Sequence, residues 1–219
     1  MQDNTQLVQK TTVRFAKIGP SIYHSHHDMI RFWERAVKRA ELPLRLTQGF
    51  NPRPRIIFPH ALGVGIASRH EEVELELSAR LAVAEIVEKL RKACGDTLEI
   101  VEARNLPPVK KSRQVTATSY LVLGWSETAA GMLPEAVEKI LAMPEIVVER
   151  GAPGDRRRAD VRPYLTALVP SPDVRGLEIE LRHTPTGSAR PDEIVKLAAS
   201  LTDEDWRDLS IEKTGMTLE

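Results

Sequence analysis

Three arginines recur at four-residue spacing early in the chain: Arg31, Arg35 and Arg39, with Lys38 beside them. Residues three and four apart share a helix face, so the spacing predicts a row of positive charge opposite Trp33. Such a row can follow a phosphate backbone, because each phosphate contact adds salt-dependent affinity. The alternative is a solvated face whose arginines pair with neighbouring carboxylates.

The turn at residues 48–55, QGFNPRPR, is the second candidate, because one glycine and two prolines interrupt regular structure there. We expect the Phe50 ring to stack on a nucleic-acid base. Gln48 and Asn51 would then read base edges. Arg53 and Arg55 would hold phosphate. The alternative is structural, with Phe50 folded inward as a plug and Asn51 capping the turn.

A histidine-rich phrase, residues 24–28, opens the first predicted helix. We expect Ser25 and Asp28 to form a capping box, with His26 hydrogen-bonded locally. The catalytic alternative makes His26 a general acid or base beside Lys17. The sequence offers no second cluster with ligand spacing, so we predict no metal site.

Residues 186–191, TGSARP, precede a predicted helix. A helix N-terminus attracts anions, so Ser188 and Arg190 are candidate ligand-binding residues. An ordinary helix cap is the alternative. The sequence has neither a P-loop nor a dinucleotide-binding fingerprint, and we predict no cofactor.

The elements expected to position these residues form two similar series. The first half alternates as β-α-β-β-α-β, including a strand at 73–78 with its glutamates outward; the second half reads β-α-β-β-β-α-β. This order predicts an α+β fold of two tandem ferredoxin-like (split βαβ) units with antiparallel sheets. The predicted divisions are a flexible tail at 1–10, an N-terminal domain at 11–106, a linker at 107–113 and a C-terminal domain at 114–219.

Composition limits the classes of function. The net charge is zero over 219 residues, but residues 1–60 hold ten Lys or Arg against four Asp or Glu, which suits a polyanionic partner. Cys94 is the sole cysteine; it cannot form an internal disulfide or hold an iron–sulfur cluster, and we predict a buried structural thiol. The sequence has no apolar run of membrane-spanning length and no secretory h-region in residues 1–10, so we expect a cytoplasmic protein without membrane contact.

A longer set of phrases extends over both halves: Lys17-x-Gly19, Ser25-His26-x-Asp28, the helix phrase at 31–43, the turn phrase at 47–58, Glu74–Leu77, Asp160–Tyr164 and Gly187–Glu193. Together they resemble the radical SAM-linked, DUF2344-type family, and the N-terminal block is specific because many matching residue types fall in a short span. The chain departs mildly, with Thr47 where the family usually shows serine, Arg55 where lysine is common, and an added His27.

The resemblance implies a companion of a radical SAM enzyme. Family members occur fused to, or encoded beside, radical SAM proteins, some with cobalamin-binding parts. Their gene neighbours often include a ribonuclease E/G-like enzyme and a ribosomal protein. The sequence lacks the Cys-x-x-x-Cys-x-x-Cys motif, so the chain is not itself the radical SAM enzyme.

We therefore expect a non-catalytic companion that binds RNA or a ribonucleoprotein through a basic N-terminal face. The face predicted to be concave and basic, with Phe50 at or near it, is bordered by Lys17, His26, Arg31, Arg35, Gln48, Asn51, Arg53 and Arg55. One alternative is a small RNA-processing or RNA-modifying enzyme that uses His26 and Lys17. Another is a purely protein-interaction subunit that uses the glutamate-rich strand at 71–76 or the acidic C-terminal region.

Overall fold

A computed structural model of the chain describes residues 6–107, 113–152 and 154–219. It shows a mixed α+β fold with largely antiparallel sheet, as the sequence predicts. The chain divides into two compact units, Met1–Gln114 and Val115–Glu219. Most of the predicted linker, residues 108–112, lies outside the described residues.

In its described residues the N-terminal unit contains four strands and two α-helices in the order β-α-β-β-α-β. Its elements are β1 (Gln9–Lys17), α1 (His26–Arg39), β2 (Ile56–Ile57), β3 (Ile66–Leu77), α2 (Val83–Cys94) and β4 (Glu99–Leu106). The strands of this unit lie in the order β4-β1-β3-β2, and each neighbouring pair is antiparallel. Because β1 already begins at Gln9 and both Gln9 and Lys10 are buried, the prediction of a flexible tail through residue 10 is wrong.

Helix α1 starts where the sequence predicts, at the capping box of Ser25 and Asp28. The Asp28 amide donates to Ser25 Oγ at 3.2 Å, and the Ser25 amide donates back to the Asp28 carboxylate at 3.1 Å. The helix packs its apolar side on the sheet, with the Trp33 ring edge-on to Phe15 at 5.1 Å between centroids. Helix α2 contributes Ile86 and Leu90 to the same core. The opposite side of α1 faces outward and is exposed.

The glutamates of β3 correct another prediction. Glu74 and Glu76 are both 0% exposed, so the expectation that they point into solvent is wrong. Lys10 Nζ and Arg113 Nε each lie 2.7 Å from the Glu74 carboxylate. Buried carboxylates need paired cations to offset their desolvation, and those partners come from sequence positions far from β3.

The C-terminal unit repeats the pattern with additional short strands. Its elements are β5 (Val115–Leu123), α3 (Glu127–Ala142), β6 (Val147–Arg150), β7 (Arg157–Asp160), β8 (Leu165–Ser171), β9 (Gly176–Thr184), β10 (Gly187–Ser188), α4 (Pro191–Leu201) and β11 (Ser210–Leu218). Its main strands lie in the order β11-β5-β9-β8, all antiparallel, with β10 on the end of β9. Strands β6 and β7 pair antiparallel and form a separate two-stranded sheet.

Two further expectations concern Cys94 and membranes. Cys94 is buried at the end of α2, as predicted, and burial raises the pKa of its thiol to about 11. In the part of the chain that the structure describes, no helix combines the length and apolarity needed to cross a membrane.

Candidate nucleic-acid interface

The turn predicted to bind nucleic acid is a closed loop with a hydrogen-bonded neck. The Thr47 amide donates to the Arg53 carbonyl at 2.8 Å, and the Arg53 amide donates to Thr47 Oγ1 at 2.9 Å. We call residues 47–53 the Phe50 loop. Gly49 at its apex has φ +133°, a conformation that side-chain-bearing residues rarely adopt. These features fix the loop independently of the Phe50 side chain.

Below the neck, the loop is anchored on a buried carboxylate. Arg45 Nη1 donates to Glu76 Oε2 at 2.7 Å, and Arg55 Nε donates to the same oxygen at 3.4 Å. The Arg55 amide also donates to the Arg45 carbonyl at 2.8 Å. Arg55, predicted to hold phosphate, is thus half-buried and engaged in holding the base of the loop.

The Phe50 ring is fully exposed, with a relative exposure of 105%. Phe15 and Phe32 are buried in the core of the same unit. The alternative in which Phe50 folds inward as a plug is therefore wrong. An outward ring on a loop held by its neck is the geometry that an aromatic stacking platform requires.

The residues around Phe50 that were predicted to contact nucleic acid are also outward. Gln48 and Asn51 flank the ring and are exposed. Arg53 is exposed as well, and its guanidinium stands 3.9 Å from the Glu34 carboxylate. That distance allows electrostatic attraction but exceeds hydrogen-bond length.

A groove of about 500 Å³ runs between α1 and the Phe50 loop. We call it the basic groove, and its lining includes Arg35, Lys38, Arg53, Leu42, Leu44, Leu46 and the acidic residue Glu34. Its volume falls within the range of about 300–1,000 Å³ typical of small-molecule pockets. The structure thus brings Arg35 of the helix and Arg53 of the loop to one surface.

The predicted arginine row on α1 is only partly available. Arg31, Arg35 and Lys38 are exposed on the outward side of the helix. Arg39 Nη2 instead donates to the Ala93 carbonyl at 2.8 Å, so Arg39 ties α1 to the end of α2. The phosphate-binding candidates on α1 that carry no such structural bond are Arg31 and Arg35.

Lys17 and His26 lie together, but in a different place from the Phe50 loop. Lys17 is 2% exposed, and its Nζ donates to the Gly63 carbonyl at 3.2 Å. It therefore cannot border an exposed basic surface, and that prediction is wrong. Lys17 and His26 line a small, partly open cavity of about 10 Å³ with His60 and Glu71, roughly the space of one water molecule.

Two features of this small cavity bear on its chemistry. Partial burial lowers the pKa of His26, and the neighbouring His27 charge lowers it further. The His26 ring also stands edge-on to Phe58, with centroids 5.5 Å apart. Glu71, which sequence reasoning missed, pairs with Phe15 across β1 and β3. The signal for Glu71 was its position in the strand. It lies two residues before the apolar Val73 and so on the same face of β3, whereas Glu72 lies on the opposite face.

The predicted anion site of the second half is occupied by the chain's own carboxylate. Glu193 accepts from the Arg190 amide at 2.8 Å at the start of α4. Arg150 donates to both Glu193 oxygens at 2.7 Å and to the Ser188 carbonyl at 2.8 Å. The bonds with Glu193 raise the pKa of Arg150. The Ser188 carbonyl and the Arg190 amide thus belong to a helix cap. The Arg190 side chain is exposed, and ligand binding by Ser188 and Arg190 stays a prediction.

The phrase Asp160–Tyr164 is also structural. The Arg162 guanidinium donates to the carbonyls of Leu141 at 3.1 Å, Met143 at 3.2 Å and Leu165 at 3.3 Å. It thereby satisfies the C-terminal end of α3, where backbone acceptors lack helical partners. Asp160 Oδ1 accepts from the Arg162 amide at 3.0 Å. Among the described residues, moreover, no group of three or more His, Cys, Asp or Glu side chains is placed to hold a metal ion.

Together these features define an α+β protein of two units, whose N-terminal unit exposes an aromatic loop beside a groove rimmed by cations. The chain belongs to the DUF2344 family, described as "Uncharacterized protein conserved in bacteria", whose model matches residues 10–191. No curated protein matches the chain. Among solved structures, the chain is similar to part of one described as "Crystal Structure of a Cbf5-Nop10-Gar1 Complex", with 9% identity and a TM-score of 0.47. That match covers 94% of this chain and 48% of the other, so this chain spans about half the length of its match.

Proposed function

We propose that this protein binds single-stranded RNA through the Phe50 loop and the outward side of α1, as the non-catalytic companion of a radical SAM enzyme. The observation that carries the proposal is the full exposure of Phe50 on a loop whose shape does not depend on it. Burying a phenylalanine side chain contributes about 1.5–3 kcal/mol, and the fold leaves this contribution unused. A stacked base would recover it, at about 1–3 kcal/mol per base.

The charges around the ring support RNA over an uncharged partner. Arg31, Arg35, Lys38 and Arg53 are exposed in the same unit as Phe50. Proteins that bind single strands combine such a cationic groove with aromatic platforms. Gln48 and Asn51 add amide groups that can hydrogen-bond to base edges beside the stacked ring.

The companion role is supported by the family and by the cysteine count. A radical SAM enzyme holds its iron–sulfur cluster through several cysteine thiolates, and this sequence contains one cysteine. On this proposal the chain presents RNA, and a separate radical SAM protein performs the chemistry. Cobalamin-dependent radical SAM proteins are among the candidate partners. Co-expression of the two tagged proteins from neighbouring genes and size-exclusion chromatography would test the pairing.

We also infer that each unit is a ferredoxin-like, split βαβ fold. The support is the strand order: β4-β1-β3-β2 in the first unit and β11-β5-β9-β8 in the second. In the first unit the first strand, β1, lies between β4 and β3. In the second unit the first strand, β5, lies in the same way between β11 and β9. In the N-terminal unit this arrangement leaves the outward side of α1 free for a ligand.

An RNA-processing activity at the small cavity lined by Lys17 and His26 is the second candidate. The favouring observation is that Lys17 and His26, both singled out as catalytic candidates, line one cavity with His60 and Glu71. The cavity holds space for about one water molecule. Incubating labelled RNA with the protein and with Lys17→Met or His26→Gln would test this candidate, because only the unaltered protein should shorten or modify the strand.

Fluorescence anisotropy tests the principal proposal. A labelled 12-nucleotide RNA of mixed sequence should bind, and its affinity should fall steeply with salt because cations contact phosphates. An RNA duplex of the same length should bind less tightly, since its bases are already stacked and cannot meet Phe50. Equal affinity for the duplex and the single strand would count against stacking, and no binding at low salt would overturn the proposal.

A further inference from the structure

The basic groove contains one acidic residue among its cations. Glu34 on α1 lines it beside Arg35, and Arg53 approaches the Glu34 carboxylate at 3.9 Å. A carboxylate disfavours phosphate through like-charge repulsion, so Glu34 works against a groove that only collects backbone phosphates. Its presence is better explained by a ligand that offers hydrogen-bond donors.

The floor of the groove suits a flat, largely apolar ring. Leu42 and Leu44 are buried beneath it, and Leu46 is half-buried at its side. The opening between α1 and the Phe50 loop holds about 500 Å³. An apolar pocket with a few convergent polar groups is the usual form of a small-ligand site, and a single unstacked base is small enough to enter the groove and offers this chemistry.

We propose that a guanine base of the bound RNA enters the basic groove and that Glu34 is the residue that selects it. This inference rests on the proposed RNA-binding function. An ionised carboxylate only accepts hydrogen bonds, through two oxygens. Guanine presents two adjacent donors, N1–H and the N2 amino group, on its Watson–Crick edge, and they match the two oxygens in parallel.

The other bases fit the carboxylate less well. On adenine and cytosine the amino donor lies next to a ring-nitrogen acceptor, which would face the second carboxylate oxygen. On uracil the single N3–H lies between two carbonyl acceptors. Each mismatch places two acceptors opposite each other, and an unpaired polar group in a binding site is costly. Arg35 and Arg53 are then placed to hold the phosphates on either side of the selected base.

The test compares oligonucleotides that differ in one base. Ten-nucleotide uridine strands with a central guanine, inosine or adenine are titrated against the unaltered protein, Glu34→Gln, Phe50→Ala and the exposed control Glu88→Gln. Inosine lacks the N2 amino group and so loses one bond to a charged acceptor, on the order of a 10-fold loss of affinity. Glu34→Gln should bring the guanine-to-inosine ratio close to one, and Glu88→Gln should leave the ratio unchanged.

The outcomes separate this inference from the function beneath it. If the unaltered protein binds all three strands equally while Phe50→Ala weakens them all, the guanine selection is wrong and RNA binding stands. If Glu34→Gln weakens every strand by the same factor, Glu34 only positions Arg53, and the selection is again wrong. If no strand binds the unaltered protein, both the inference and the proposed function fail.

Discussion

The Phe50 loop and the residues around Arg162 both lie within the range that matches the family model, but the fold treats them differently. Arg162 donates to three backbone carbonyls and closes the end of α3. Phe50 is fully exposed, and Arg53 meets a carboxylate only at 3.9 Å. One set of residues is therefore explained by stability, whereas the other leaves its binding capacity available to a partner.

The difference shows how residues that stabilise the fold can be separated from residues that are available to bind a partner. A residue whose polar atoms are engaged by other groups of the chain is explained by the fold, as the cap built by Glu193 and Arg150 also illustrates. Outward residues on a preorganised loop gain nothing comparable from the fold. The comparison predicts that substitutions in the two regions will separate stability from binding.

The largest effect is expected from Arg162→Ala. The change leaves the carbonyls of Leu141, Met143 and Leu165 without their charged donor, and each unsatisfied group of this kind costs about 1–3 kcal/mol when it is shielded from water. Two of the three bonds, to Met143 and Leu165, are partly buried, so we expect the free energy of unfolding in urea to fall by about 2–6 kcal/mol, with RNA affinity of the folded protein unchanged. The exposed Arg157→Ala is the control and should stay within about 0.5 kcal/mol. An Arg162→Ala protein as stable as the unaltered protein would contradict the claim that Arg162 stabilises the fold.

Phe50→Ala should show the opposite pattern. The exposed ring makes little contribution to folding, so the free energy of unfolding should change by less than about 0.5 kcal/mol. RNA affinity should fall by about 1–3 kcal/mol, roughly 5- to 150-fold, if the ring stacks on a base. Replacing Phe50 by tryptophan should retain binding, because the larger ring also stacks. A Phe50→Ala protein that unfolds, or that binds RNA normally, would contradict this account.

The double change Arg35→Ala with Arg53→Ala tests the cationic part of the interface. Each phosphate contact to a single strand contributes about 0.7 to the slope of log affinity against log salt. We expect the slope to flatten by about 1.4 when both contacts are lost. The double change Arg157→Ala with Arg182→Ala removes equal charge from exposed positions in the other unit and should leave most of the slope in place. If both double changes flatten the slope equally, RNA is attracted non-specifically to positive charge and not to the proposed interface.

The smallest expected effect is a pH dependence of stability from His183. Burial lowers the pKa of His183, and the nearby Lys213 charge lowers it further; its Nε2 lies 2.8 Å from Thr118 Oγ1. Since the folded-state pKa is below the unfolded value of about 6.5, the unfolded chain binds more protons in mild acid. Stability is then full above about pH 7 and declines as the pH falls toward about 5. Urea unfolding at both pH values should show a shallower decline for His183→Gln, and an unchanged decline would contradict the shift.

The predictions that held from sequence were those set by nearby residues. Ser25 and Asp28 cap α1 across three positions, and Trp33 and Val37 face the core at helical spacing. The strand alternation in β3 was right, since Val73, Leu75 and Leu77 face the core, but the opposite face, which carries Glu74 and Glu76, is buried as well. Glu76 is buried because Arg45 and Arg55 fold back onto it from a separate segment, and alternation alone cannot reveal such partners.

The site residues divide in the same way. The sequence placed Phe50 in a turn, but whether its ring points inward or outward depends on the neck formed by Thr47 and Arg53. It placed Arg39 with the other arginines of α1, but the Ala93 carbonyl that binds it lies on another helix. The sequence predicted Lys17 at the surface, but the structure packs it beside His60 and Glu71. Both residues lie far along the chain, so the pattern around Lys17 could not reveal its burial.

Photo-crosslinking with mass spectrometry tests the central claim most directly. RNA containing 4-thiouridine is irradiated with the protein, and the crosslinked peptides are sequenced. The account predicts that the principal crosslinked peptide contains the Phe50 loop, residues 47–53, and that Phe50→Ala removes most of that product. Crosslinks confined to the C-terminal unit, or a Phe50 loop that stays unmodified while RNA binds with high affinity, would contradict it.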